Sequence, residues 1–171
     1  MDASPLAIPR QFLTFRLDQE VFAMDIGVVR EVLAFKTVTK IPRVPEYIRG
    51  VLNLRGNVVP VIDMRLKLGL GRTEQTADTC VVITELAAAG EHSVFGALVD
   101  SVQEVVDLDP EVVAPPPDIG RRLGGDVVRG LAKRADQLIM IVALERVFTV
   151  EDLRAHQPAA PQADPAGATL A

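Results

Sequence analysis

The sequence predicts an all-β protein with a few short helices, arranged as two related β-barrel subdomains. Three observations predict it. Short runs rich in Val and Ile, bounded by Gly, Asp, Asn or Pro, dominate the chain. Helix signals are few and brief. The chain also repeats itself. VFAMDIGVVREVL (21–33) aligns with VFGALVDSVQEVV (94–106), and IRGVLNLRGNVVPVID (48–63) with VRGLAKRADQLIMIVA (128–143). The matches run in the same order at offsets of 73 and 80 residues, placing one half at about 12–69 and the other at about 80–150, with interleaving of the two possible.

The elements follow in order. FLTFRL (12–17) alternates apolar and polar residues, and VFAMDI (21–26) follows a turn at Asp18-Gln19-Glu20. VPEYIRGVLN (44–53) reads as a short helix opened by Pro45 and ended by Gly50. NVVPVIDM (57–64), CVVITEL (80–86), SVFGALVD (93–100) and QLIMIVAL (137–144) read as strands, and MRLKLGL and LERVFTVEDL as short helices. Strands at this spacing with brief helices favour small barrels over a doubly wound sheet. Residues 1–10 read as a flexible N-terminus and 156–171, rich in Pro and Ala, as a disordered tail. Loose sequence at both ends suggests a stand-alone chain.

Composition narrows the function. With 171 residues, 49 % of them hydrophobic, the chain can bury a core, and without Trp that core must be mostly Val, Leu and Ile. A net charge of −5 argues against nucleic acid, whose binders need a basic face. The lone Cys80 allows no internal disulfide and packs as a small hydrophobe. There is no signal peptide and no apolar run near the roughly 20 residues of a membrane span, so the expectation is a soluble, cytoplasmic protein without membrane insertion.

Catalytic and metal-binding sets are hard to assemble. His92 and His156 lie in solvated loop or tail sequence, and there is no GxSxG, HExxH, CxxC or P-loop. The glycines of GLGR (69–72) read as a turn between subdomains, and Asp100, Glu104, Asp107, Asp109 and Glu111 as a solvated acidic face. The expectation is a binding module rather than an enzyme, with no cofactor and no metal. The competing class, a small-ligand-binding β-barrel, has no residue set behind it.

Arg-Gly occurs at 49–50 and 55–56. The first recurs as Arg129-Gly130, so it reads as architecture, with Gly50 and Gly130 at positions needing positive φ or close packing. The second is matched only by Ala135-Asp136, which leaves Arg55 free for a role the fold does not require. Glu31, at a matched position of the repeat, is its nearest counter-charge by topology. Val29 and Val32, with Val94 and Phe95 from the second half, are candidates for an apolar groove that takes a partner helix. For any one of these residues plain core is the simpler expectation. The candidate partner-binding residues are thus Val29, Glu31, Val32, Gly50, Arg55, Val94 and Phe95.

The segments FLTFRLDQEVFAMDIGVVREVL, VTKIPRVPEYIRGVLNLRGNVVPVIDMRLKLGL and VVRGLAKRADQLIMIVALERVF together resemble the CheW family of chemotaxis coupling proteins over roughly residues 11–155. Ile-Pro-x-x-Pro, Ile-Arg-Gly-Val, Asn-Leu-Arg-Gly and Val-Val-Pro-Val-Ile-Asp stand in that family's order. The resemblance implies two SH3-like five-stranded barrels packed around a shared apolar core. It implies a non-catalytic adaptor between the cytoplasmic hairpin tips of methyl-accepting chemoreceptors and the regulatory domain of the histidine kinase CheA, recruited to membrane-associated arrays. A coupling subunit of a sister pathway, with twitching or gliding output, is the alternative within the class. The resemblance places the receptor site in the groove between barrels and a kinase site on their outer faces. Two departures concern loops. Lys-Arg-Ala-Asp (133–136) stands where the family usually has a Gly, and ELAAAGEHS (85–93) is long.

Overall fold

The structure, a computed structural model, describes residues 10–88, 91–109, 112–115 and 127–148. In chain order these form β1 (Arg10–Leu17), β2 (Glu20–Asp25), a 3-10 turn (Ile26–Val28), β3 (Val29–Ala34), β4 (Ile48–Leu54) and β5 (Asn57–Asp63). Then come α1 (Met64–Lys67), β6 (Cys80–Ala88), β7 (Glu91–Val99), β8 (Ser101–Leu108), β9 (Val113–Ala114), β10 (Val128–Arg134), β11 (Gln137–Val142) and α2 (Leu144–Val147). The all-β expectation with brief helices holds. The expected tail lies outside the described residues, as does most of the expected N-terminal segment, although β1 already begins at Arg10. No helix among the described residues is long and apolar enough to cross a membrane.

One element differs from expectation. VPEYIRGVLN is not a helix: a single turn, closed by Ile48 N–H donating to the Pro45 carbonyl, leads into strand β4. Pro45 does open a turn, but a helix would forgo the cross-strand bonds of Ile48–Leu54 to β5. The break at Gly50 is a β-bulge between Ile48 and Gly50, not a helix end.

Two sheets result, one with the order β8-β1-β2-β11-β10-β9 (sheet A) and one with the order β3-β6-β7-β5-β4 (sheet B). Sheet A has six strands rather than five, the sixth being the two-residue β9. The sheets do not divide the chain between 69 and 80. Sheet B is drawn from the continuous stretch 29–99, and sheet A closes around it from both flanks.

The repeat survives in a crossed form. β2 pairs in parallel with β11, Ala23 beside Ile141, and β7 pairs in parallel with β5, Gly96 beside Val61. Those are matched positions at offsets of 73 and 80. The bulge at Gly50 recurs at Gly130. Each sheet therefore takes its first two strands from one repeat and the rest from the other.

Strand alternation then sorts the apolar side chains into three layers. One lies inside sheet A (Phe12, Val21, Ala23, Val106, Ile139 and Ile141 among others) and one inside sheet B (Phe35, Val59, Val61, Val81, Ile83 and Leu98). The third, shared by both sheets, contains Leu13, Phe15, Phe22, Met24, Ile62, Val82, Phe95 and Phe148.

Candidate functional site

The hairpin β4–β5 turns on two residues, Arg55 and Gly56, with φ of 52° and 89°. Two consecutive positive φ values give the turn whose twist matches the flanking strands. It places Arg55 at the tip, its side chain 70 % exposed, where it makes an ion pair with Glu31 on β3. β3 and β4 are the two edges of sheet B, so this pair joins opposite edges and shows that the sheet curls.

Sheet A carries a counterpart. Arg134, at the end of β10, pairs with Glu104 on edge strand β8 at 3.2 Å, and Glu104 is the repeat partner of Glu31. The sequence argument that the second half lacks an arginine here is corrected: the arginine stands one residue earlier, before the Ala135-Asp136 turn. The ion pair is a feature of the repeat. What remains particular to Arg55 is its place at a hairpin tip and its exposure.

Val32 pairs with Val82, Val82 with Ala97, Ala97 with Ile62, and Ile62 with Ile48. Directly paired residues share a face of the sheet. This row is buried in the layer between the sheets except at its rim, where Val32 is 41 % exposed. Val29, half-buried, packs against the same layer. Val29 and Val32 thus mark where the shared apolar layer reaches the surface, while Glu31, paired with Ile83 of the layer inside sheet B, meets Arg55 on the opposite face of the same edge strand.

The other candidates do not join them. Gly50 is buried, with φ of 147°, and an added Cβ would stand 2.4 Å from the Thr39 carbonyl oxygen, so its role is architectural. Val94 points into sheet B against the Val59–Ile83 layer. Phe95, its neighbour on the strand, points the other way and is fully buried, its ring edge-on to Phe148 at 4.4 Å. The proposal that Val94 and Phe95 line one groove wall is therefore corrected: adjacent strand residues face opposite layers, and no partner reaches Phe95 in the folded chain.

Arg49, of the first Arg-Gly, is turned inward. Its Nη1 donates to Asp63 Oδ2 at 3.0 Å and to the Thr73 carbonyl at 3.1 Å. Asp63 is fully buried and also accepts from Thr73 N–H, Thr73 Oγ1 and Leu66 N–H, capping α1 and tying down the segment after it. The architectural reading of this arginine holds.

Sequence reasoning missed two neighbours of the site. Arg30, next to Glu31, pairs with Glu85, whose other carboxylate oxygen lies 3.2 Å from His92 Nδ1. Val58 on β5 is 48 % exposed, and its repeat partner Leu138 is 52 % exposed. The offset of 80 could have matched those two, but not shown that both stand outside. Among the described residues no group of three or more His, Cys, Asp or Glu could hold a metal ion.

The site combines an apolar rim with a charged pair on the opposite face of the same edge strand, over two packed sheets. The CheW-like domain family matches residues 11–152, and the chain belongs to that family. It is 30 % identical over 146 residues to the chemotaxis protein CheW of Klebsiella aerogenes, covering 85 % of this chain and 86 % of that one. It is 31 % identical over 120 residues to the protein FrzA of Myxococcus xanthus, covering 65 % and 69 %. The crystal structure of the scaffolding protein TtCheW from Thermoanaerobacter tengcongensis superposes with a TM-score of 0.74 at 34 % identity, over 85 % of this chain and 96 % of that one.

Proposed function

We propose that the chain is a non-catalytic adaptor that couples the cytoplasmic hairpin tips of methyl-accepting chemoreceptors to the regulatory domain of the histidine kinase CheA. One observation supports taking the reading to this site: the row from buried Ile48 to exposed Val32 brings the inter-sheet apolar layer to the surface on edge strand β3, whose opposite face carries the Glu31–Arg55 pair. An amphipathic helical hairpin supplies the matching apolar stripe with charged flanks. Val29 and Val32 take the stripe, and Arg55 and Glu31 meet the flanks. The similarity to FrzA favours keeping a second reading, a coupling subunit of a different chemosensory pathway.

The experiment is capture of receptor and kinase, measured separately, by Arg55→Ala, Glu31→Ala and Val32→Asp variants. Truncating a central interface arginine often costs about 2 kcal/mol of affinity or more. The expected result is weakened capture of at least one partner with a melting temperature near that of the parent chain. Unchanged capture of both partners by all three variants sinks the assignment.

A further inference from the structure

Arg30 and Glu31 are neighbours on β3, and in a regular strand they would point to opposite faces of sheet B. They do not. Glu31 lies opposite Ile83 on β6, and Glu85, two residues further along β6, stands on the same face. Arg30 pairs with Glu85 as Glu31 pairs with Arg55, so one face carries both ion pairs. The cause is the bulge between Val29 and Glu31, which inserts Arg30 as an extra residue and re-aims its side chain.

The fold makes this bulge whether or not it holds an arginine. In sheet A the β1–β8 ladder shifts at the matched place, with Phe15 opposite Val102 and Leu13 opposite Val105. Gln103 stands there in place of Arg30, at the offset of 73. Phe15 opposes Val102 as Thr84 opposes Val29, so Arg16 stands in place of Glu85. Gln103 and Arg16 cannot form an ion pair with each other. Glu31–Arg55, by contrast, has its counterpart in Glu104–Arg134. The Arg30–Glu85 pair is therefore particular to sheet B, and the strand can be built without it.

The geometry of both pairs presents the cation. Arg30 is 57 % exposed against 29 % for Glu85, and Arg55 is 70 % exposed against 29 % for Glu31. The guanidiniums are thus the outer groups, each backed by a less exposed carboxylate. Among the described residues, Arg30 uses Nη1 and Arg55 uses Nη2 toward its carboxylate. A guanidinium carries five donors in a planar fork, so each has donors left for a second carboxylate. β3 runs on into exposed Lys36, Lys40 and Arg43, with no acidic residue between 36 and 43, so the sign persists beyond the strand.

We propose that Arg30 is a specificity-determining residue of the adaptor: with Arg55 it forms a pair of fixed guanidiniums that selects a protein partner presenting Asp or Glu carboxylates to this face. Glu85 holds the Arg30 side chain in place for that contact. This inference rests on the adaptor reading and adds the chemistry that the site selects. The net charge of −5 repels an acidic partner at long range, so discrimination comes from these local contacts and weakens with salt.

The test measures capture of a receptor cytoplasmic fragment and of the kinase regulatory domain, separately, by the full chain and its variants at about 50 mM and about 300 mM salt. Arg30→Gln, which installs the residue of the second repeat, should weaken capture of at least one partner by about fivefold at the lower salt and by less at the higher. Arg30→Glu should weaken it by about tenfold or more, because a like charge then faces the partner. Arg30→Glu/Glu85→Arg separates selection from structure, since it rebuilds the ion pair with the two charges exchanged. Capture that stays weak in this variant, with a melting temperature near that of the parent chain, is the expected result. Recovery of capture by the exchange would overturn the proposal, because the pair would then matter only as a pair. So would a loss in Arg30→Gln that is the same at both salt concentrations. A parent chain that captures both partners, with Arg30→Gln and Arg30→Glu capturing as it does, would overturn this inference alone. A parent chain that captures neither would overturn the adaptor reading and this inference with it.

Discussion

At the scale of single residues, two arginines six positions apart have opposite duties. Arg49 is turned inward against a fully buried carboxylate, and Arg55 stands out at a hairpin tip. Removing Arg49 leaves Asp63 buried and short of a cation, a loss of about 3–5 kcal/mol for a buried pair. Removing Arg55 breaks an exposed pair, worth about 0–1 kcal/mol. Chemical denaturation of Arg49→Ala and Arg55→Ala should therefore give a large shift for the first and almost none for the second. The glycines beside the repeated Arg-Gly differ as well. Gly50 combines a positive φ with backbone atoms at 2.4 Å from a would-be Cβ, whereas Gly130 has an ordinary φ and meets the Val113 side chain at 2.6 Å and the Ala114 carbonyl oxygen at 3.0 Å. Gly50→Ala should cost about 2 kcal/mol or more and Gly130→Ala less, because part of the second obstacle is a side chain that can turn away. The repeat made both glycines legible in the sequence. It could not show which of two close-packed positions also needs the left-handed backbone.

At the scale of elements, the hairpins β4–β5 and β10–β11 share a two-residue turn but not its residues. Ala135 and Asp136 hold φ of 52° and 68° where the first hairpin has Arg55 and Gly56. A left-handed L-residue costs about 1–2 kcal/mol unless its side chain is suited to it, as that of Asn is. Ala135→Asn should raise stability by about 0.5–1 kcal/mol, readable as a higher denaturation midpoint with an unchanged slope. β5 and β11 were legible as strands because their apolar runs are continuous, the pattern of strands covered on both faces. β4 was not, since Pro45 and Gly50 carry helix-boundary signals that the cross-strand bonds to β5 override. Alternation along β7 could have warned that Val94 and Phe95 face opposite ways.

At the scale of the whole molecule, three apolar layers share two sheets, and the middle one joins them. Ile139 inside sheet A and Ile83 inside sheet B are each almost fully buried. Truncation of either to Ala should cost about 2–5 kcal/mol. Because the shared layer couples the sheets, both variants should shift one cooperative transition, observed alike by far-UV circular dichroism and by methyl resonances of either sheet. A biphasic melt in one variant would show that the sheets unfold separately. The all-β class and the duplication were legible from periodicity and offset. The crossing of repeats between sheets was not, since alignment of two segments says nothing about which copy each strand pairs with. The candidate site was half legible: Glu31 and Arg55 met as topology suggested, while the exposure of Val32 depends on β3 being an edge.

The nesting of sheet B within sheet A also imposes an order of birth. As the chain leaves the ribosome, β1 and β2 emerge first, yet the parallel neighbour of β2, strand β11, is more than a hundred residues away. Every strand of sheet B is available once residue 99 has been made. The inner sheet can therefore complete itself during synthesis, while the first hairpin waits with the β11-facing side of β2 uncovered. For that interval the first hairpin keeps an unpaired strand edge, and the shared apolar layer of the finished sheet B offers it a place to rest.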